Sequence, residues 1–258
     1  MKIKIDNIGK SFKHNKEVNE VLKDISFEVN QGEFVSLLGP SGCGKTTLLT
    51  IIAGFKKADC GEITVGDKKV EGPGADRGFV FQNYALFPWM TVEKNILYPM
   101  KQQKLPKEKR EVRLQELLIM SKLEGREKLY PSQLSGGMKQ RIAVIRALAC
   151  KPEVLLLDEP LGAVDFQMRK ILQEELEGIF MMDTTTAIMV THDVDEAVYM
   201  SDRVIVMSTD KGKVIEDLKI DLPRPRNREC DKYDSYKDKL TKILTVALGY
   251  EEVAATSK

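Results

Sequence analysis

The chain has 258 residues, 42% of them apolar and 31% charged, the make-up of a soluble globular protein of one large domain or two modest ones. Forty basic residues against 39 acidic ones leave a net charge of +1, which argues against a nucleic-acid binder. No apolar run approaches the ~20 residues that span a bilayer, and the four cysteines, Cys43, Cys60, Cys150 and Cys230, lack metal-ligand spacing and read as reduced thiols of a cytosolic protein. In chain order, Ile3 and Ile5 alternate with charged residues as a strand does, without the apolar core of a secretory signal. Ile25, Phe27 and Val29 alternate likewise before the turn Gln31-Gly32. Phe34–Leu38 is a continuous apolar strand, expected to be buried on both faces. A glycine-rich loop follows, then a helix over Thr47–Gly54 closed by its glycine. Strand character returns over residues 61–81, with Gly78–Phe81 as one strand. From about Thr91 to Ala149 the pattern is helical. There Arg110–Met120 is amphipathic, with Val112, Leu114, Leu117 and Leu118 as its apolar positions, and Gly136–Leu148 is a second helix. Strand and helix then alternate: Val154–Leu157, Phe166–Phe180, Thr186–Val190, Val194–Tyr199 and Val204–Met207. Such alternation predicts a mostly parallel sheet with helices on its faces. The tail carries Pro223, Pro225 and an amphipathic stretch over Tyr236–Leu248.

Three motifs bear chemistry. Gly39-Pro40-Ser41-Gly42-Cys43-Gly44-Lys45-Thr46, followed by Thr47, lies between a buried strand and a helix, the context a phosphate-binding loop requires. Its glycines let backbone amides wrap a phosphate chain, and the helix N-terminus adds its positive end. Lys45 can reach the β- and γ-phosphates and the Thr46 hydroxyl can ligate Mg²⁺, so the expected ligand is a nucleoside triphosphate, taken as ATP. Val154–Leu157 runs into Asp158-Glu159-Pro160. A strand's carboxyl end is where a parallel sheet gathers ligand groups. Asp158 is placed to hold Mg²⁺ and Glu159 to polarise an attacking water. Leu134-Ser135-Gly136-Gly137 opens a helix. Ser135 alone would be a cap; read with the amides of Gly136 and Gly137 it is a second anion-binding helix end. One copy already surrounds its phosphates with its own loop. The second helix end therefore points to another copy's nucleotide, and to a head-to-tail homodimer with two ATP molecules in the interface.

Together these motifs resemble the nucleotide-binding subunit of an ATP-binding cassette (ABC) transporter, in order from about Ile3 to Val214. The resemblance implies an α/β fold: a P-loop NTPase (RecA-like) core with an N-terminal antiparallel β subdomain and an inserted α-helical subdomain. It implies one ATPase domain over 1–220, with the helical insertion at 88–149, and a short, partly helical tail at 221–258. It adds Gln82, expected to contact Mg²⁺ and couple the site to a membrane subunit, and His192, expected to contact the γ-phosphate. Phe12 lies where the family stacks an aromatic ring on adenine. In Leu161-Gly162-Ala163-Val164-Asp165 a glycine stands where the family usually has serine, while Asp165 is kept for communication across the dimer.

The implied partners are a second copy, an integral membrane permease and, indirectly, an extracytoplasmic solute-binding protein. The implied place is the cytoplasmic face of the membrane. The aromatic stretch Tyr84–Val92 resembles the surface that receives a permease's coupling helix. Pro88-Trp89 and Leu222-Pro223-Arg224-Pro225-Arg226-Asn227-Arg228 resemble the nitrate/sulfonate/taurine-type importer ATPases, although the same basic tail also reads as a solvated segment. Export stays open beside import. A soluble cassette protein of translation or repair usually carries two cassettes or a long coiled coil, and neither is expected here.

Overall fold

The computed structural model describes residues 2–14, 17–162, 166–183 and 185–248. It forms two units, Met1–Pro73 with Val190–Lys258, and Gly74–Met189. The first opens with two long strands, β1 (Lys2–His14) and β2 (Glu17–Asn30), paired antiparallel. Their alternation puts Ile3 opposite Val29 and Ile5 opposite Phe27 on one buried face. The strand β3 (Phe34–Leu38) is buried at all five positions, as its unbroken apolar run requires. The helix α1 (Lys45–Ile52) starts two residues before its expected beginning, directly after the phosphate loop. Its end is a Schellman turn: Gly54 N–H donates to Ile51 O and Phe55 N–H to Thr50 O, both at 2.9 Å, with Gly54 at φ 79°. Then β4 (Cys60–Val65) pairs antiparallel with the other edge of β1, and β5 (Lys68–Lys69) closes the order β2-β1-β4-β5. This is the antiparallel N-terminal sheet that the family resemblance implies.

The second unit begins with β6 (Arg77–Val80), which runs parallel to β7 (Val154–Asp158) with Gly78 opposite Leu155. Between them lie α2 (Val92–Gln102), α3 (Lys107–Met120) and α4 (Gly136–Leu148). α2 packs on both α3 and α4. Leu114, Leu117 and Leu118 form the buried stripe of α3, but Val112, expected beside them, is 62% exposed. Two residues of helix turn a side chain by ~200°, so Val112 faces away from the stripe that begins at Leu114. The unit ends with α5 (Phe166–Met182) and the fully buried β8 (Thr186–Thr191), which neighbours β7.

The chain returns to the first unit within β8. There α6 (Val194–Met200) leads into β9 (Arg203–Met207), parallel to β3. β9 pairs antiparallel with β10 (Val214–Lys219), a half-buried strand absent from the sequence expectation. The last helix among the described residues, α7 (Asp231–Ala247), begins five residues before the expected stretch. Among the described residues no helix is long and apolar enough to cross a membrane.

Candidate nucleotide-binding and hydrolysis site

In the first unit the phosphate loop joins β3 to α1. Gly42 and Gly44 hold left-handed conformations, φ 84° and 99°, and Gly44 is the N-cap of α1. Gly39 is required for another reason: a Cβ there would lie 2.5 Å from Met207 O on β9. Ser41 and Gly42 are exposed, while Gly39, Pro40 and Cys43 are buried. Lys45 is also buried, and its ammonium donates to Gly39 O at 2.7 Å and Pro40 O at 2.8 Å, with Cys43 Sγ at 3.7 Å. The cation is thereby folded back over its own loop. Burial pushes the Cys43 thiol above its ordinary pKa against the opposing pull of Lys45. Thr46 is exposed and Thr47 half-buried in the first turn of α1. The amides of that turn have no carbonyl one turn earlier within the helix, which suits them to an anion. Left-handed glycines, helix N-terminus and one cation make a cradle that fits a polyphosphate.

Phe12, on β1, is 37% exposed, with Lys10 Nζ 5.6 Å and Lys56 Nζ 5.1 Å from its ring centre. Thr191-His192-Asp193 joins β8 to α6. Asp193 caps α6 by accepting from Glu196 N–H at 3.1 Å, and its own N–H donates to Thr191 Oγ1 at 3.0 Å. The Thr191 hydroxyl also bonds the Glu196 carboxylate. This closed turn presents His192 at the surface.

In the second unit Gln82 and Glu159 come together as the strand register dictates. β6 and β7 are parallel with Val80 opposite Leu157, so positions two residues further on, Gln82 and Glu159, share the carboxyl edge. Gln82 Nε2 donates to Glu159 Oε2 at 3.4 Å. Glu159 itself is left-handed at φ 44°, a strained state that favours functional positions. A Cβ on Gly162 would come 3.3 Å from Glu159 Oε2 and 3.4 Å from Gln82 Nε2. The glycine that departs from the family pattern therefore leaves room around this pair. Asp158, half-buried, ends β7. Asp165 lies outside the described residues.

Ser135 caps α4, its Oγ accepting from Met138 N–H at 3.3 Å, and Ser135 and Gly136 are exposed at the helix start. Gly137 is buried; a Cβ there would lie 2.9 Å from Leu172 on α5.

Sequence reasoning missed the scaffold of the loop after Gln82. Tyr84 and Ala85 are both left-handed, φ 63° and 46°, although neither is glycine. Arg146, on α4, holds them by donating to Tyr84 O at 2.9 Å and Ala85 O at 2.8 Å. Burial lowers the guanidinium's pKa. Asn95, fully buried on α2, fixes the next stretch. Its Oδ1 accepts from Phe87 N–H at 2.9 Å, and its Nδ2 donates to the carbonyls of Phe87, Met90 and Thr91 at 3.1–3.2 Å. Alongside runs a groove of about 450 Å³ lined by Phe79, Phe81, Phe87, Tyr98 and Arg146. Trp89 stands 70% exposed in the same loop, with its ring 5.7 Å from that of Phe87.

A buried strand, a left-handed glycine loop and a helix that begins at a lysine define a P-loop nucleotide-binding protein. Residues 22–162 match the family model described as ABC transporter. The chain is 47% identical over 244 residues to an uncharacterised ABC transporter ATP-binding protein of Methanocaldococcus jannaschii, covering 95% of this chain and 91% of that one. It is 43% identical over 240 residues to the aliphatic sulfonates import ATP-binding protein SsuB of Bacillus subtilis, covering 93% of each. Against the bicarbonate transport ATP-binding protein CmpC of Synechococcus elongatus it is 47% identical over 231 residues, 88% of this chain but 35% of that longer one. A dimeric ATP-binding cassette solved in a post-hydrolysis state with ADP and Pi superposes with TM-score 0.72 at 33% identity, over 84% of this chain and 98% of that one. The chain belongs to the ABC transporter ATP-binding family. It has that family's α/β P-loop fold, and it is an ATPase.

Proposed function

We propose that the chain energises uptake of a small solute, an anion such as a sulfonate, nitrate or bicarbonate, through a separate permease. Lys45 and the loop amides hold the β- and γ-phosphates of ATP, and Phe12 stacks on adenine. Thr46, Asp158 and Gln82 are the oxygen donors for Mg²⁺, which when bound neutralises charge on the phosphates. Glu159 accepts the proton of the attacking water, and Gln82 orients its carboxylate. His192 contacts the γ-phosphate. Ser135, Gly136 and Gly137 of a second copy complete the site, with Asp165 at the same interface. The groove beside Trp89 receives the permease, and the protein works at the cytoplasmic face of the membrane, served from outside by a solute-binding protein.

The contact between Gln82 and Glu159 at the carboxyl edge of β6 and β7 carries this reading. The named relatives that import sulfonates or transport bicarbonate support the solute class. Glu159→Gln keeps the shape and removes the base. Steady-state hydrolysis should fall by about a hundredfold or more, the usual worth of a general base, with ATP affinity unchanged. Hydrolysis at the wild-type rate would sink the assignment. Uptake of labelled sulfonate and bicarbonate by cells with and without the protein tests the solute.

A further inference from the structure

The proposed chemistry leaves the tail Leu222–Arg228 and α7 without a task, yet both close on α6. At its C-terminal end, Arg224 Nη2 donates to Met200 O and Arg226 Nη2 to Ser201 O, each at 2.6 Å. Arg226 is buried, so this part of the basic run is not a solvated segment. In the first turn of α6 stands Asp195. The Tyr233 hydroxyl, from α7, donates to Asp195 Oδ1 at 3.1 Å and to its backbone carbonyl at 3.2 Å. Lys237 Nζ lies 3.3 Å from the same Oδ1, and Arg228 Nε 3.8 Å from Oδ2. Arg228 also stacks 3.5 Å over the Tyr199 ring. Tyr233 is fully buried, and burial beside the Asp195 carboxylate pushes its hydroxyl pKa up, which keeps it a donor.

The same helical turn carries the Thr191–Glu196 and Asp193–Glu196 bonds that shape the His192 turn. A displacement of α6 therefore moves His192 with it. At seven residues α6 is below the ~12–15 at which an isolated helix holds itself together, so its place is set by what grips it. We infer that Asp195 and Tyr233 are positioning residues for His192, with α7 gripping the first turn of α6 and so holding the imidazole at its working position. This rests on the reading of His192 as the γ-phosphate contact.

The test uses the full chain in its permease complex for kinetics and the full chain alone for spectroscopy. Tyr233→Phe removes one hydroxyl and keeps the ring. It should lower kcat by about three- to tenfold, the scale of one or two hydrogen bonds, and change KM for ATP by less than about twofold. Asp195→Asn, which keeps an acceptor and loses the charge, should give a smaller fall. The chain has two histidines, so in a His14→Asn background the imidazole NMR spectrum shows His192 alone. Tyr233→Phe should shift that signal. An unmoved His192 signal overturns the inference, as does a kcat loss of equal factor in the wild-type and His192→Ala backgrounds. Wild-type kcat in His192→Ala itself overturns the reading of His192, and the inference with it. A shifted signal together with wild-type kcat in Tyr233→Phe overturns the inference while leaving His192's role intact.

Discussion

Gly54 sits at φ 79°, and a Cβ on it would lie 2.2 Å from Gly72 O. Gly178, inside α5, would place a Cβ within 4 Å of nothing. The same substitution should therefore have opposite signs at the two positions. Gly54→Ala combines left-handed strain with a backbone clash and should cost about 2–4 kcal/mol. Gly178→Ala removes a helix-interior glycine from open space and should stabilise by about 0.5–1 kcal/mol. Urea unfolding midpoints of both variants check this, and two shifts of one sign would refute it. Gly42, in the phosphate loop, obeys a different rule. Gly42 also has no neighbour within 4 Å of a Cβ, but its φ of 84° excludes an unstrained side chain. Its need is conformational, and that need is legible because only glycine repeats at this spacing before a lysine and a helix.

At the scale of elements, the sequence was most informative where one periodicity or one motif decides the outcome. Alternation marked β1 and the end of β2, unbroken apolar runs marked β3 and β7, and the alternation of strand with helix marked β8; the parallel register of β6 and β7 that makes Gln82 and Glu159 neighbours is a finding of the structure. Features that depend on a partner distant in sequence were not legible. Val112 is apolar, but it lies ~200° round the helix from Leu114, which composition alone does not show. β10 alternates over only six residues. Asn95 reads as an ordinary helix-surface residue until the Phe87–Thr91 loop folds over it, and the left-handed pair Tyr84-Ala85 carries no glycine to announce it. Arg224 and Arg226 are legible only as part of a basic run, open between a solvated segment and a family feature, because the carbonyls they reach lie 24 and 25 residues away. The geometry at Asn95 makes a sharp prediction. Asn95→Ala deletes the four hydrogen bonds of a buried side chain and should destabilise the chain by about 2–4 kcal/mol. Asn95→Asp should be worse despite its closer shape, because a carboxylate would face three carbonyls that now accept from an amide. Thermal unfolding with Asp milder than Ala would contradict this account.

For the whole molecule, the proposed dimer sets one copy's α4 against another copy's nucleotide. Ser135→Asp separates that role from capping. Aspartate caps a helix about as well as serine, so α4 should keep its start, but the added charge would oppose the partner's phosphates. In the Glu159→Gln background, light scattering with ATP should show dimers, and adding Ser135→Asp should abolish them while ATP still binds each monomer. In the otherwise unaltered chain, Ser135→Asp should cut hydrolysis by at least about tenfold. Dimers that persist with aspartate in place would refute a shared site. The grip of Arg224, Arg226 and α7 on α6 also has a consequence in time. Chains are made from the N-terminus, so the phosphate loop, the Gln82 loop, Glu159 and α6 all leave the ribosome before the residues that cap and hold α6. A nascent chain can gather a nucleotide early. On the inferred grip, the His192 turn settles only once α7 has been made, so the order of synthesis puts competence to hydrolyse after the phosphate loop is already complete.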